Sequence, residues 1–408
     1  MDESDRRIID NLHAFADREI VPIEEALGAT FTNPRLHYDE TGKETPAITD
    51  ARRRARMKSA EAGFYTMFCS KKFGGEDLGI RLWFLCWESM FHRYGMPKTQ
   101  LVYEILSTFF SGPHEVWNHA SEELRAEVMP GLATGKLQGC FGLTEPDAGS
   151  DSWMMRTQAV RDGSDWIING SKQWTTNSPT ADFIMLYAVT DKAMLTARKG
   201  GVTCFYVPTS TPGFKVESVL SILGELGGNE GILSFTDMRV PDKYRIGELN
   251  RGFDLAMLGV RHGRLANAGR TLGTARWALE KAIDYAKVRR TFGAALAEHQ
   301  TIQNYLADAT IKLYAGRLMA LDAATKADLG RDIRTEASMA KAFCTQAAFE
   351  IIDKCMQIHG GMGLANETKL YQALHQARAT HVTEGPNEIQ RRSIAQNLLR
   401  GRVDLTFE

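Results

Sequence analysis

The chain has 408 residues, 43% hydrophobic and 24% charged, with a formal net charge of −1. That is enough chain for two or three domains around a sizeable core, and the near-neutral balance excludes a global field that would draw it to nucleic acid or to an anionic membrane. No apolar run approaches the roughly 20 residues of a membrane-spanning helix. Residues 1–7 are acidic and lack the apolar segment of a secretory signal and the Arg-rich, acid-poor make-up of a transit peptide. A cytoplasmic protein is expected, although a mature mitochondrial one would read the same. Cys69, Cys86, Cys140, Cys204, Cys344 and Cys355 form no Cys-x-x-Cys pair and no metal-like spacing with histidine, so reduced, buried thiols and no metal site are expected.

In chain order, Ile8, Ile9, Leu12, Phe15, Ile20 and Val21 recur at helical spacing, with Pro22 and Gly28 placed to kink or end that helix. A loop is expected over 28–49. Residues 50–62 predict a helix whose Arg52, Arg53, Arg54, Arg56 and Lys58 read as a solvated basic face rather than a phosphate site. A turn at 72–75, helices over 82–94 and 99–110 separated by Pro97, and a helix N-capped by Ser121 and stopped before Pro130 complete a helical domain, 1–136. From 137 to 250 the pattern is that of strands. Trp166-Ile-Ile, Asn169-Gly170-Ser171 and Lys172-Gln-Trp174 predict a hairpin on an Asn-Gly turn. Further strands over 183–189, 202–207, 214–219 and 232–240 predict a small antiparallel sheet or barrel. From 251 to 408 the helical period returns. Three long stripes, rich in alanine, and a last helix over 388–399 predict an antiparallel four-helix bundle. The fold class expected is α+β, in the order helical domain, β domain, helical bundle.

Four stretches could carry chemistry. Residues 141–151 crowd Thr144, Gly149 and Ser150 at a strand-to-loop edge, which fits either an ordinary Gly-rich turn or backbone N–H groups that bind a polar ligand. Trp174 beside Thr175 and Thr176 is either a core Trp or a flat wall for a planar heterocycle. Arg289 and Arg290 beside Phe292 and Gly293 are either a solvated pair or a pyrophosphate clamp. Glu384 precedes Gly385, which lets other atoms approach closely, and Pro386, which suits a first helical turn. Taken alone, Glu384 reads as a cap or a solvated group as readily as a functional one.

Together these stretches resemble the acyl-CoA dehydrogenase family of flavoproteins, over nearly the whole chain. Residues 141–151 match its Tyr-x-x-Thr-Glu-Pro-x-x-Gly-Ser-Asp motif, 169–177 its Asn-Gly-x-Lys-x-Trp-Ile-Thr-Asn segment, and 289–303 its Arg-x-x-Phe-Gly and Gln-rich helix. Residues 357–363 match Gln-x-x-Gly-Gly-x-Gly, and 384–391 match Glu-Gly-Thr-x-x-Ile-Gln-Arg. The resemblance implies FAD as cofactor, with Phe141, Leu143, Thr144, Gly149 and Ser150 beside the flavin, and Trp174 and Thr176 at its ring. It places Arg289, Phe292, Gln300, Gln357 and Gly361 on the adenosine half, partly from a neighbouring subunit, and Pro386 and Glu388 near the cofactor. Ser150, Arg264 and Gly385 fall at substrate-binding positions, and Glu384 falls on the catalytic base.

The implied reaction is α,β-dehydrogenation of an acyl-CoA thioester to the trans-2-enoyl-CoA. Glu384 would take the α proton and the β hydrogen would leave as hydride to flavin N5. The thioester carbonyl would be held by the Glu384 backbone N–H and a flavin hydroxyl. Burial by substrate should raise the pKa of Glu384, while the nearby helix N-terminus should lower it. Some family members place the base at the position of Gly263, which here has no carboxylate, and nitroalkane-oxidising relatives use Asp where this chain has Glu384. Phe141 replaces the usual Tyr, Pro386 the usual Thr, and Arg261 an Asp found in some members. An electron-transferring flavoprotein as acceptor and a homotetramer, or a homodimer, are expected. Two alternatives share the fold: a flavin oxidase or monooxygenase, and a flavin-containing nucleic-acid binder. Residues 251–408 carry 22 Lys and Arg against 16 Asp and Glu with no dense basic run, so neither nucleic acid nor membrane is expected as a partner.

Overall fold

The computed structural model describes all residues except 97, 98, 224, 404, 407 and 408; the expected break at Pro97 lies outside the described residues. The chain forms two compact units from interleaved stretches. One comprises Ala16–Asp77 and Tyr103–Val260, the other Met1–Phe15, Leu78–Val102 and Arg261–Glu408.

The first unit is built on an eight-stranded sheet. Its strands are β1 (Gly139–Gly142), β2 (Gln158–Asp162), β3 (Asp165–Thr176), β4 (Phe183–Val189), β5 (Val202–Pro208), β6 (Phe214–Leu220), β7 (Glu230–Pro241) and β8 (Arg245–Ile246). They run in the order β6-β7-β3-β2-β4-β5-β8, with β1 also on β4. Most pairs are antiparallel, as expected, but β1 and β2 each pair parallel with β4. β4 is buried along its whole length. Phe183, Met185 and Tyr187 enter a core with Trp117, while Ile184, Leu186 and Ala188 enter another with Phe205 and Trp166. Both faces of the strand are covered, which is why it reads as an unbroken apolar run.

Four expectations are corrected. The Asn-Gly hairpin does not exist: residues 165–176 form one strand, and the hairpin joins β2 to β3, with Asp162 opposite Asp165. Gly170 sits at a bulge. A Cβ there would come within 2.6 Å of the Thr157 backbone, so the glycine serves close approach rather than a turn. The basic helix Pro46–Glu61 is not simply solvated. Arg52 donates to Glu44 at 2.7 Å and to Glu104 at 3.1 Å, and Arg56 to Glu104 at 2.9 Å; Arg53 and Arg54 stay exposed. The stretch 99–110 is helical only to Ile105. Beyond it the Ser111 hydroxyl accepts from the Thr108 N–H at 3.3 Å and pairs with its hydroxyl at 2.7 Å, a local alternative to helix bonds. Pro130 lies inside the helix Glu122–Ala133 rather than ending it, and the fully buried Leu132 fastens that last turn.

The second unit is helical. The helices Gln300–Asp328, Arg334–His359 and Asn387–Leu399, with the part of Gly252–Val288 beyond Val260, give the expected four. A further helix within 251–408, Leu370–Thr380, was not expected. Its Leu370, Ala373 and Ala377, at i, i+3 and i+7, enter the same core as Ala275, Ala282, Ile351 and Cys355. All six cysteines of the chain are free and buried. No helix among the described residues is long and apolar enough to cross a membrane.

Candidate active site

In the sheet unit, the segments 141–151 and 169–177 are fastened to each other. Lys172 is fully buried, and its ammonium donates to Glu145 Oε1 at 2.8 Å and to the Leu143 carbonyl at 3.0 Å. The Glu145 carboxylate also accepts the N–H groups of Arg156 at 2.6 Å and Thr157 at 3.0 Å. The Gln173 N–H meets the Thr144 carbonyl at 2.9 Å. Burial pushes the Lys172 ammonium down to about 8, against the pull of Glu145. Burial pushes Glu145 up, but the Lys172 charge and the bonds it accepts leave it below its ordinary value. The motif residues therefore sit on a rigid pin that their sequence does not announce.

This pin presents Trp174. Its side chain is 50% exposed and its backbone is left-handed at φ +60°, a conformation that costs a bulky residue energy and marks functional positions. Beside it, the hydroxyls of Thr175 and Ser178 are buried without a hydrogen-bond partner, a rare condition that calls for an occupant. Thr176 faces Glu230 across the β3–β7 ladder. Phe141 and Leu143 are half-buried, with the Phe141 ring 5.2 Å from Phe109 and 5.0 Å from Tyr187. Thr144 is half-buried, and Gly149 and Ser150 are exposed.

In the helical unit, Glu384 lies in the bend between the helices Leu370–Thr380 and Asn387–Leu399. Its φ is +56°, and Gly385 follows at +87°, so the carboxylate is held at two consecutive left-handed residues. It lies over Gly263: a Cβ at that position would come 2.9 Å from the Glu384 Cδ. The two positions expected to offer a base thus converge on one place, and glycine at 263 makes room for the carboxylate.

The bend is clamped from below. The Glu384 carbonyl accepts from Arg264 Nε at 3.3 Å and Gln390 Nε2 at 3.2 Å, and the Gly385 carbonyl from Lys341 Nζ and Gln390 Nε2, both at 2.9 Å. Arg264, expected at the substrate, is turned to the loop, and its Nη1 also reaches Ser338 Oγ at 3.3 Å. Among the described residues, the amide N–H groups of Glu384 and Gly385 meet no backbone acceptor. Burial pushes the Glu384 carboxyl up, and the charges of Arg264, Arg270 and Lys341 pull it down; the result lies above its ordinary value. Pro386 stands one residue before the helix rather than in its first turn, and Glu388 is exposed.

The residues expected at the adenosine half are all exposed. Arg289 and Gln300 flank a two-stranded ribbon, Arg290–Thr291 with Ala294–Ala295. At its tip Phe292 and Gly293 are both left-handed, the signature of a tight hairpin turn, and Phe292 is 100% exposed. Gln357 is exposed at the end of the helix Arg334–His359, and nothing lies within 4 Å of a Cβ at Gly361. The orphaned hydroxyls beside an exposed Trp174, and a Phe292 that its own chain leaves bare, fit the FAD that the motifs imply. Sequence reasoning missed Lys341, Gln390 and Asn387. Lys341 had a signal: it interrupts the apolar stripe Ala337, Ala340, Cys344, Ala347 at the i+4 position of Ala337.

The family models of the acyl-CoA dehydrogenase middle domain and C-terminal domain match residues 140–238 and 250–399. The human mitochondrial short-chain specific acyl-CoA dehydrogenase is 31% identical over 398 residues, covering 98% of this chain and 90% of its own. The subunit CarC of the caffeyl-CoA reductase-Etf complex of Acetobacterium woodii is 33% identical, over 84% of this chain and 89% of its own. The solved FAD complex of PigA superposes with a TM-score of 0.82 at 26% identity, over 98% of both chains. The chain belongs to the acyl-CoA dehydrogenase family of FAD-dependent oxidoreductases.

Proposed function

We propose that the chain converts an acyl-CoA thioester to its trans-2-enoyl-CoA, with Glu384 as the base that removes the α proton. The observation that carries this reading is the state of Glu384. It is half-buried, pushed by desolvation above its ordinary pKa, and held in a left-handed bend over a glycine. A carboxyl so placed is a stronger base than a solvated one. The unengaged N–H of Glu384 is available to the thioester carbonyl, where it stabilises the enolate-like charge that forms as the proton leaves. FAD supplies the hydride acceptor. Trp174, Thr176, Phe141 and Leu143 would hold its ring, and Arg289, Phe292, Gln300, Gln357 and Gly361 its adenosine end. Phe141 offers no hydroxyl there, and Pro386 offers neither hydroxyl nor N–H.

The partner reading follows the same features. CarC is named as part of an Etf complex, which supports an electron-transferring flavoprotein as acceptor. A bare Phe292, and the exposed stripe Ile311, Tyr314 and Leu318 at i, i+3 and i+7 of one helix, support a homo-oligomer, with a tetramer as our reading. Buried free thiols support a reducing compartment such as the cytoplasm. We retain 1–136, 137–250 and 251–408 as the functional division of the chain. The test is anaerobic bleaching of the flavin by a panel of straight and branched acyl-CoAs, with Glu384→Gln beside the wild type. Bleaching by at least one thioester, abolished in E384Q with FAD retained, supports the reading; undiminished bleaching in E384Q removes it.

A further inference from the structure

Lys341 is fully buried in the helix Arg334–His359. Its ammonium donates to the Gly385 carbonyl at 2.9 Å, the His381 carbonyl at 3.2 Å and Asn387 Oδ1 at 2.9 Å. An ammonium has three donors, and all three are spent on the bend that carries Glu384. Asn387 is itself fixed, its Nδ2 donating to Thr345 Oγ1 at 3.1 Å and its N–H to the His381 carbonyl at 2.9 Å. One side chain therefore ties the start of the bend, its exit and the helix below it.

We propose that Lys341 is a positioning residue for the proton transfer, holding the 381–387 bend in the shape that presents Glu384 and supplying a positive charge to that carboxylate. The three acceptors of the ammonium are neutral, so its charge is not cancelled where it is bound. A buried lysine without a carboxylate partner is costly; an apolar side chain with the same helix packing would avoid that cost. The other charges facing this group are Arg264 and Arg270 on the helix Gly252–Val288, and Glu388 and Arg391 on the helix Asn387–Leu399. His381 in the bend faces Lys341 and Glu388. Arg264 holds the Glu384 carbonyl as Lys341 holds that of Gly385, so two cations on different helices grip consecutive peptide groups.

The inference rests on Glu384 being the base, and its test separates the two. The FAD-loaded protein would be prepared as wild type, Lys341→Met, Lys341→Gln, Lys341→Arg and Glu384→Gln. Each would be assayed with the acyl-CoA that bleaches the wild type fastest. Loss of a positive charge makes a carboxylate harder to ionise, so in K341M and K341Q the rising acid limb of kcat/KM should move to higher pH by about one unit. Loss of the tie should lower kcat by about ten- to a hundredfold with KM little changed. K341R keeps the charge, so its limb should stay in place while kcat falls. A wild-type limb and kcat in FAD-loaded K341M and K341Q would overturn the inference, as would failure of all three Lys341 variants to fold, which would make the lysine a fold residue only. Turnover in E384Q would instead overturn the identification of the base.

Discussion

Among the described residues, two lysines are buried completely, and both are pushed down to about 8 by burial. They are otherwise opposites. Lys172 in the sheet unit meets a carboxylate at 2.8 Å, and that carboxylate is itself saturated by two backbone N–H groups. Lys341 in the helical unit meets two carbonyls and an amide oxygen. The paired lysine spends its charge on holding two strands of motif residues together. The unpaired one keeps its charge and sits beneath the residue proposed as base. A neutralised buried charge thus serves as a structural pin, and an unneutralised one as a source of field.

The largest effect should come from breaking the pin. Lys172→Met strands the Glu145 carboxylate in the interior, which costs about 3–5 kcal/mol, and the protein should show a lower melting temperature and lose FAD. The double variant Glu145→Gln/Lys172→Met should be less damaged than Lys172→Met alone, because no unpaired charge remains; equal damage would show that the pair's charge is not what matters.

A third buried cluster extends the comparison to a guanidinium, which stays charged throughout the working range. Arg52 and His37 lie on Glu44. Burial opposes the ionised form, but the Arg52 charge and the accepted bonds hold Glu44 down at about 2 against an ordinary 4.5. A lowered carboxylate contributes stability that is fully present above pH 4.5 and is lost as the pH falls toward about 2. The amount is about 3 kcal/mol. Chemical denaturation across that window should show the decline in the wild type and a flatter profile in Glu44→Gln; parallel profiles would contradict the assignment.

Smaller effects probe the base side of the comparison. Gly263→Ala puts a methyl 2.9 Å from the Glu384 Cδ, so the carboxylate must shift. The expected result is about a tenfold loss of kcat, worth about 1.4 kcal/mol, at nearly unchanged melting temperature. Phe292→Ala should change the stability of the folded chain by less than about 0.5 kcal/mol, because the side chain touches nothing in its own chain. It should weaken self-association or FAD retention, measured by sedimentation and flavin absorbance.

The parts of this protein legible in the sequence are those whose residue types are tied to a ligand or a period. Trp174, Phe292 and Glu384 were singled out by motif, and each carries a left-handed backbone in the structure. The long alanine stripes gave their helices. What escaped depends on distant partners. Arg52 and Arg56 read as solvent-facing because Glu104 lies 52 and 48 residues away. The Asn169-Gly170 pair read as a turn because the signal is local, whereas the reason for Gly170 is the approach of Thr157, just ahead of β2. The Glu384 carboxyl is pushed up by burial against the charges of Arg264, Arg270 and Lys341, which lie 114 to 120 residues or 43 residues earlier in the chain and leave no local sign beside it. Lys341 was visible as a charge on an apolar stripe, but the three oxygens that explain it come from the bend 40 to 46 residues later.

The central claim is that Glu384 removes the α proton while FAD accepts the hydride. Rapid anaerobic mixing of wild-type and Glu384→Gln protein, each with FAD bound, with the fastest acyl-CoA tests it most directly. The account predicts fast bleaching of the wild-type flavin and a rate at least about a hundredfold slower in the variant, with FAD content and melting temperature preserved. Equal bleaching rates in the two proteins would contradict it.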